Sequence, residues 1–130
     1  MHTQISTITL LVADYDAAIE YYTGILGFAV LEDIPAGEAK RWVVIAPTRA
    51  SSLRLLLVQA TSDSDHAALG KQAGDHVFLI LNTSDFAQDY AAMQASGVCF
   101  LEKPRHEPYG TVAIFKDLYG NKWDLLQPKE

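Results

Sequence analysis

The stretch "ISTITLLVADYDAAIEYYTGILGFAVLED", residues 5–33, decides the fold. Residues 5–13 are β-branched and apolar, the pattern of a buried strand. Asp14 follows as a helix N-cap, its carboxylate placed to accept from free backbone N–H groups. Ala18, Tyr22 and Ile25, with Ile19 and Leu26, recur at helical spacing and make one apolar face. Gly27 stops the helix, because glycine takes the left-handed backbone without a side-chain clash. Residues 28–33 return to strand character. "RWVVIA" (41–46) and "LRLLLVQ" (53–59) supply two more strands, joined through the polar, Pro- or Gly-bearing segments "IPAGEAK" and "PTRASS".

The second half repeats this order. "HVFLILN" (76–82) reads as a strand and Ser84 as a helix cap. Phe86, Tyr90 and Met93 mark the apolar face of a helix that Gly97 ends. "VCFLE" (98–102), "TVAIFK" (111–116) and "NKWDLLQ" (121–127) are strands. Asp14 aligns with Asp85 at an offset of 71, and Gly27 with Gly97 at an offset of 70. Leu10 then meets Leu81, and Leu55 and Leu56 meet Leu125 and Leu126. Shared element order and paired helix-stop glycines indicate an internal duplication. Each unit is strand, helix, strand, strand, strand. The predicted fold is α+β: one domain over residues 1–130, made of two tandem βαβββ repeats at about 5–59 and 76–127. The link "ATSDSDHAALGKQAGD" (60–75) is polar and Ala-rich, and predicts a short helix from about Asp63 to Gln72.

Composition narrows the function. A chain of 130 residues suits one compact domain with a sizeable core. Its formal net charge is −6, and its ten Lys and Arg residues form no run, which argues against nucleic acid. No apolar stretch approaches the ~20 residues needed to span a bilayer, so no membrane partner is expected. The one cysteine, Cys99, can form no internal disulfide and lies in the apolar run "VCFL", where it reads as a buried, inert thiol. The start "MHTQIST" lacks the charged-then-apolar pattern of a signal peptide. Cytoplasmic localisation is the expectation.

Three segments carry a family resemblance: "LLVADYDAAIEYYTGILGF" (10–28), "TSDFAQDYAAMQASGV" (83–98) and "YGTVAIFKDLYGNKWDLLQ" (109–127). They resemble the vicinal oxygen chelate superfamily, which includes glyoxalase, bleomycin-resistance and extradiol dioxygenase proteins. "KRWVVIAP" and "PRHEPYG" are similar to a bacterial branch described only as glyoxalase-like. The resemblance implies two units that curl into half-barrels of curved mixed sheet around a cavity, and a homodimer. It also implies a small organic molecule as the partner. The protein is then either an enzyme of lyase, isomerase or dioxygenase type, or a non-catalytic protein that sequesters a drug or metabolite.

Metal-using members of that superfamily place His or Glu on strands one and four of each unit. The matching positions here are Thr7, Phe78, Arg54 and Asp124. A divalent metal needs three or more His, Cys, Asp or Glu ligands. Only Asp124 qualifies, and Arg54 would repel the ion. His76, two residues before Phe78 and on the same face of an extended strand, offers at most a second ligand. No cofactor is expected, and a divalent metal is disfavoured. Asp124 then has two readings: an ion pair with Arg54, its equivalent in the other unit, or a general base or substrate anchor. The candidate catalytic residue is Asp124, and the candidate ligand contacts are Thr7, Arg54, Phe78, Tyr109, Trp123 and Asp124. Trp42, Trp123 and Tyr109 are candidates for an apolar pocket or for the core. With Asp124 facing a cavity, strand alternation turns Trp123 toward the helices instead. His66 reads as a solvated helix residue. His106 sits with Arg105, Glu107 and Tyr109 in a segment read as a loop.

Overall fold

The structure is a computed structural model that describes residues 1–130. Two compact units emerge, Met1–Leu69 and Gly70–Glu130. In the first, β1 (Thr7–Val12), α1 (Tyr15–Glu20), β2 (Ala29–Pro35), β3 (Arg41–Ala46) and β4 (Arg54–Gln59) follow one another, and α2 (Asp63–Ala68) closes the unit. The sheet order is β1-β4-β3-β2, with β1 parallel to β4 and the other pairs antiparallel. The second unit contains β5 (Val77–Asn82), α3 (Phe86–Ala95), β6 (Cys99–Phe100), β7 (Arg105–Glu107), β8 (Gly110–Lys116) and β9 (Lys122–Pro128). Its order, β5-β9-β8-β6 with β5 parallel to β9, repeats the first. The α+β fold with mixed sheets is therefore as the sequence predicts.

Local chemistry explains the elements. Asp14 caps α1 by accepting from the Ala17 N–H at 2.8 Å. Beyond Glu20 the helix widens into one π-helical turn, Tyr21–Ile25, where the Thr23 hydroxyl donates to the Ile19 carbonyl at 2.6 Å. Gly27, at φ +73°, then reverses the chain. Tyr15, Ala18 and Tyr22 are the buried face of this segment. In the second unit the cap of α3 is Asp85, which accepts from the Gln88 N–H, and not Ser84. The internal repeat points to Asp85 through Asp14, whereas the local reading stopped one residue short. The linker helix is also shorter than predicted. Ser62 caps α2 in a capping box with Asp65, and the helix ends at Ala68.

The second unit is joined by a chain of rings. Phe86, Tyr90, Phe100, Phe115 and Trp123 follow one another with centroid spacings of 5.5, 4.5, 5.6 and 5.8 Å. Each such pair adds about 0.5–1.5 kcal/mol beyond its area burial. The ladder ties α3 to β6, β8 and β9. Cys99 departs from expectation, because it is exposed. β6 is a two-residue edge strand, and its alternation turns Phe100 inward and Cys99 out.

The turn between β8 and β9 is organised by Asp117, which is 5 % exposed. Its Oδ1 accepts from the backbone N–H groups of Tyr119, Gly120 and Asn121 at 3.0–3.1 Å. Its Oδ2 accepts from Asn121 Nδ2 at 3.2 Å and from the Trp123 indole at 3.1 Å. Asn121 Oδ1 in turn accepts from the Gln72 N–H at 3.2 Å, seating the incoming chain on the turn. A Cβ at Gly70 would lie 1.8 Å from the Tyr119 carbonyl oxygen, so only glycine allows that approach. Replacing Asp117 by Ala strands several buried donors at once, each costing about 1–3 kcal/mol. Asp117→Ala is expected to lower stability by about 3 kcal/mol or more, read as a lower urea midpoint at unchanged slope.

Candidate functional site

Strand alternation gives the C-terminal sheet two chemically different faces. Trp123 and Leu125 of β9, with Phe115 and Ala113 beside them on β8, are buried against the aromatic ladder. The opposite face carries Asp124 and Leu126 of β9, Ile114 of β8 and Ile80 of β5, all at least partly exposed. Ile80, at 59 % exposure, lies directly beside Asp124. Helix α3 covers the first face, and the second is open around Ile80, Asp124 and Ile114, although Val112 on it is fully buried.

A polar array borders this open face. β6 stops at Phe100, although the Leu101 N–H still reaches the Ile114 carbonyl at 2.8 Å. Beyond that point the Glu102 carboxylate replaces the missing ladder carbonyl and accepts the Ile114 N–H at 3.1 Å. β7 then resumes pairing, with Arg105 opposite Val112 and Glu107 opposite Gly110. Arg105 Nε donates to both Glu102 oxygens at 2.9 Å, and its terminal nitrogen donates to Glu107 at 2.8 Å. Glu102, Glu107 and the Tyr109 side chain, in that order, hold the guanidinium firmly in its charged form. Two carboxylates thus bracket one cation.

Asp124 stands apart from those bonds. Its Oδ1 is buried and has no hydrogen-bond partner. Burial pushes its carboxyl above the ordinary aspartate range, Arg105 opposes that shift, and Glu102 adds to it. The charges that act on Asp124 are therefore Arg105 and Glu102. Arg54 is exposed and forms no salt bridge.

The remaining candidates fall in different places. Thr7 and Arg54 are exposed register partners at the start of β1 and β4. Phe78 sits at a bulge, because pairing runs from Val77–Lys122 directly to Leu79–Trp123. The β5 residue beside Asp124 is thus Ile80. His76 lies before the strand and is exposed, its N–H bonded to the Ala73 carbonyl, so the same-face argument linking it to Phe78 fails. Trp123 is 2 % exposed and is a core residue, not a ligand contact. Tyr109 is 53 % exposed in the β7–β8 turn. His106 lies on β7, not in a loop, and its Nδ1 is 3.2 Å from the Thr111 hydroxyl. A cleft of about 500 Å³ beside His106, Thr111 and Gln127 is lined also by the chain end. It does not include Asp124.

The donor set does not fit a divalent metal. Within neither unit do three His, Cys, Asp or Glu side chains converge. Glu102, the carboxylate whose charge acts on Asp124, is already committed to Arg105 and the Ile114 N–H.

Glu102 is not among the residues that the sequence singles out, and Arg105 enters there only beside His106 in a segment read as a loop. The signal was present: Arg105 and Glu107 alternate about His106 as strand residues do. Pro104 and Pro108 hide it, since proline argues against a strand except at a sheet edge, and β7 is such an edge.

The chain belongs to the Glyoxalase/Bleomycin resistance protein/Dioxygenase superfamily, whose profile matches residues 4–125. An uncharacterized protein of Shewanella frigidimarina (strain NCIMB 400) is 48% identical over 128 residues, 98% of this chain and 95% of that protein. Among solved structures, UcmS2 superposes with a TM-score of 0.84 at 28% identity, covering 97% of this chain and 98% of that one. TnmS3, an antibiotic binding protein from Streptomyces sp. CB03234, superposes with a TM-score of 0.78 at 29% identity, covering 98% and 97%. No helix of this chain is long and apolar enough to cross a membrane.

The raised carboxyl of Asp124 has a consequence for stability. A carboxylate that is harder to ionise in the fold than in the unfolded chain costs stability above its folded pKa. That cost fades as pH falls through the raised value toward the unfolded one. Asp124→Asn removes it while keeping the shape. The variant is expected to melt above the parent at pH 7, and the gap should close as the pH is lowered toward 4, the region of an ordinary carboxyl.

Proposed function

We propose that this protein binds a small organic molecule on the open face of its C-terminal sheet and sequesters it without a metal. The observation that carries this reading is Asp124: a buried carboxylate oxygen with no partner, beside Ile80 and Ile114. A buried acceptor without a donor is costly, and a ligand N–H or O–H relieves that cost. The half-exposed apolar neighbours supply area for the ligand's carbon skeleton. The fold likeness to TnmS3, an antibiotic binding protein, supports the sequestering form of the reading. So does the want of a convergent metal-ligand set.

Contacts are assigned accordingly. Asp124 anchors the ligand, with Phe78 and Tyr109 as further contacts in the same unit. Thr7 and Arg54, register partners on β1 and β4, are proposed as polar ligand contacts of the N-terminal unit taken by itself. With two bracketing carboxylates against one Arg105, the array favours a ligand that presents a donor or a positive charge. A cytoplasmic homodimer completes the proposal. Closed twofold dimers are the commonest soluble assembly, and light scattering should give twice the 14.3 kDa chain mass.

A second reading has one observation in its favour. Burial raises the Asp124 carboxyl, and a raised carboxylate is a better general base. On that reading Asp124 abstracts a proton in a lyase or isomerase reaction. A dioxygenase is disfavoured, because its chemistry needs a metal that this donor set does not fit.

A thermal-shift screen of small amphipathic compounds, repeated after chelation with EDTA, tests the reading. A hit should stabilise the protein equally with and without EDTA. Asp124→Asn should weaken that hit by about tenfold or more, the worth of a charge-assisted hydrogen bond. Affinity for a cationic hit should fall as pH drops through the Asp124 pKa, because the protonated carboxyl loses its charge. Unchanged affinity in a folded Asp124→Asn variant would remove Asp124 from the site. Turnover of the hit, lost in the same variant, would favour the catalytic reading.

A further inference from the structure

The N-terminal sheet contains a gap that the proposed function does not use. β3 and β4 pair antiparallel at Val43–Leu57, Val44–Leu56 and Ile45–Leu55, and the ladder stops there. Both strands run on, β3 back to Arg41 and β4 forward to Gln59. β1 still pairs with β4 as far as Val12–Gln59, and β2 with β3 as far as Pro35–Arg41. The two central strands therefore splay apart while their outer neighbours hold them. The slot between them measures about 350 Å³ and is lined by Trp42, Leu56 and Val58, with Tyr15, Lys40 and Gln59 around them.

Its walls are chemically uneven. Trp42, Leu56 and Val58 share one face of the sheet, by the alternation from the Val44–Leu56 pair. Trp42 is 42 % exposed, unusual for so large a ring, and Ile34 beside it is 54 % exposed. The indole is fixed in place, since its N–H donates to Glu32 at 3.2 Å. Most of the polar and charged side chains around the slot already have partners. Arg41 holds Asp16 at 2.8 Å and Asp33 at 2.7 Å, and lies over the Tyr15 ring. Asp65 accepts from the Thr61 and Ser62 N–H groups. Gln59 donates to the Ala13 carbonyl. Lys40 lines the slot, and its ammonium makes no salt bridge.

We infer that this slot binds a planar aromatic acid, with its ring against Trp42 and between Leu56 and Val58, and its carboxylate at Lys40. A flat ring suits a gap between two splayed strands, and ring stacking on an indole adds to the apolar burial. Lys40 is the one cation at the slot with no counter-ion, since Arg41 is held by Asp16 and Asp33 and the Asp65 carboxylate is taken up by backbone N–H groups, so Lys40 selects an acid over its neutral amide. All residues that line the slot belong to the N-terminal unit, and none of the argument for it uses Asp124.

2-Naphthoate and 2-naphthamide provide the test, titrated into the isotope-labelled protein by NMR and by calorimetry. The chain has two tryptophans, so two indole N–H signals report on the two units. 2-Naphthoate should shift the Trp42 signal saturably and leave that of core residue Trp123 in place. The amide should bind about fivefold more weakly, the worth of one exposed ion pair. Lys40→Gln should erase the difference between the two probes while the Trp123 signal certifies the fold. Equal affinity for acid and amide in the parent protein would overturn the assignment. So would the absence of a saturable Trp42 shift, or loss of 2-naphthoate binding on Asp124→Asn.

Discussion

The Asp117 carboxylate is the contact on which the C-terminal unit depends. A buried carboxylate is tolerated only when its lone pairs are filled, and this one accepts from three backbone N–H groups, an amide and an indole. Those bonds do more than close a turn. The indole donor fixes Trp123 on the helix side of β9, where it stacks on Phe115. Because side chains alternate, Asp124 is then forced to the other side. Through Asn121 the same turn holds the segment that enters the unit at Gln72. One acidic side chain thus sets the turn, the register and the direction of its acidic neighbour seven residues on.

Two aspartates in one hairpin therefore have opposite fates. Asp117 sits among donors that the backbone supplies, so its burial stabilises the fold. Asp124 sits among Ile80, Ile114 and Leu126, with Glu102 near enough to raise its carboxyl further. Arg105 cannot fully offset this, because Glu102 and Glu107 already take its donors. The fold carries Asp124 at a cost. A cost of that kind is common at binding and catalytic sites.

The two units share a plan and differ in their details. Both place strand one parallel to strand four, and both cap the helix with an aspartate, Asp14 and Asp85. The turn chemistry diverges. The β3–β4 loop is held by Thr48 and Ser51 and has no buried carboxylate like Asp117. The β6–β7 break also has no counterpart in the first unit, whose second strand runs unbroken from Ala29 to Pro35 apart from one bulge. The Glu102–Arg105–Glu107 array and the Asp117 turn both lie where the second unit departs from the first.

The sequence by itself determined the architecture. Helix caps, helix-stop glycines and apolar periodicity are local signals, and here each was written twice, so Asp14, Gly27 and Gly97 could be assigned without coordinates. Strand alternation already implied that Trp123 and Asp124 face opposite ways. Tertiary structure decided the rest. The bulge at Phe78 moved the partner of Asp124 to Ile80, because one extra residue shifts every later cross-strand pair. Glu102 and Arg105 became neighbours of Asp124 only through the β7–β8–β9 pairing, which two flanking prolines conceal. Cys99 was turned outward by a strand two residues long. The splay of β3 from β4 is a property of neither strand alone. Periodicity reports which residues a segment buries. Which side chains meet across strands, and where a ladder stops, depends on register, and register is fixed only when the strands are assembled.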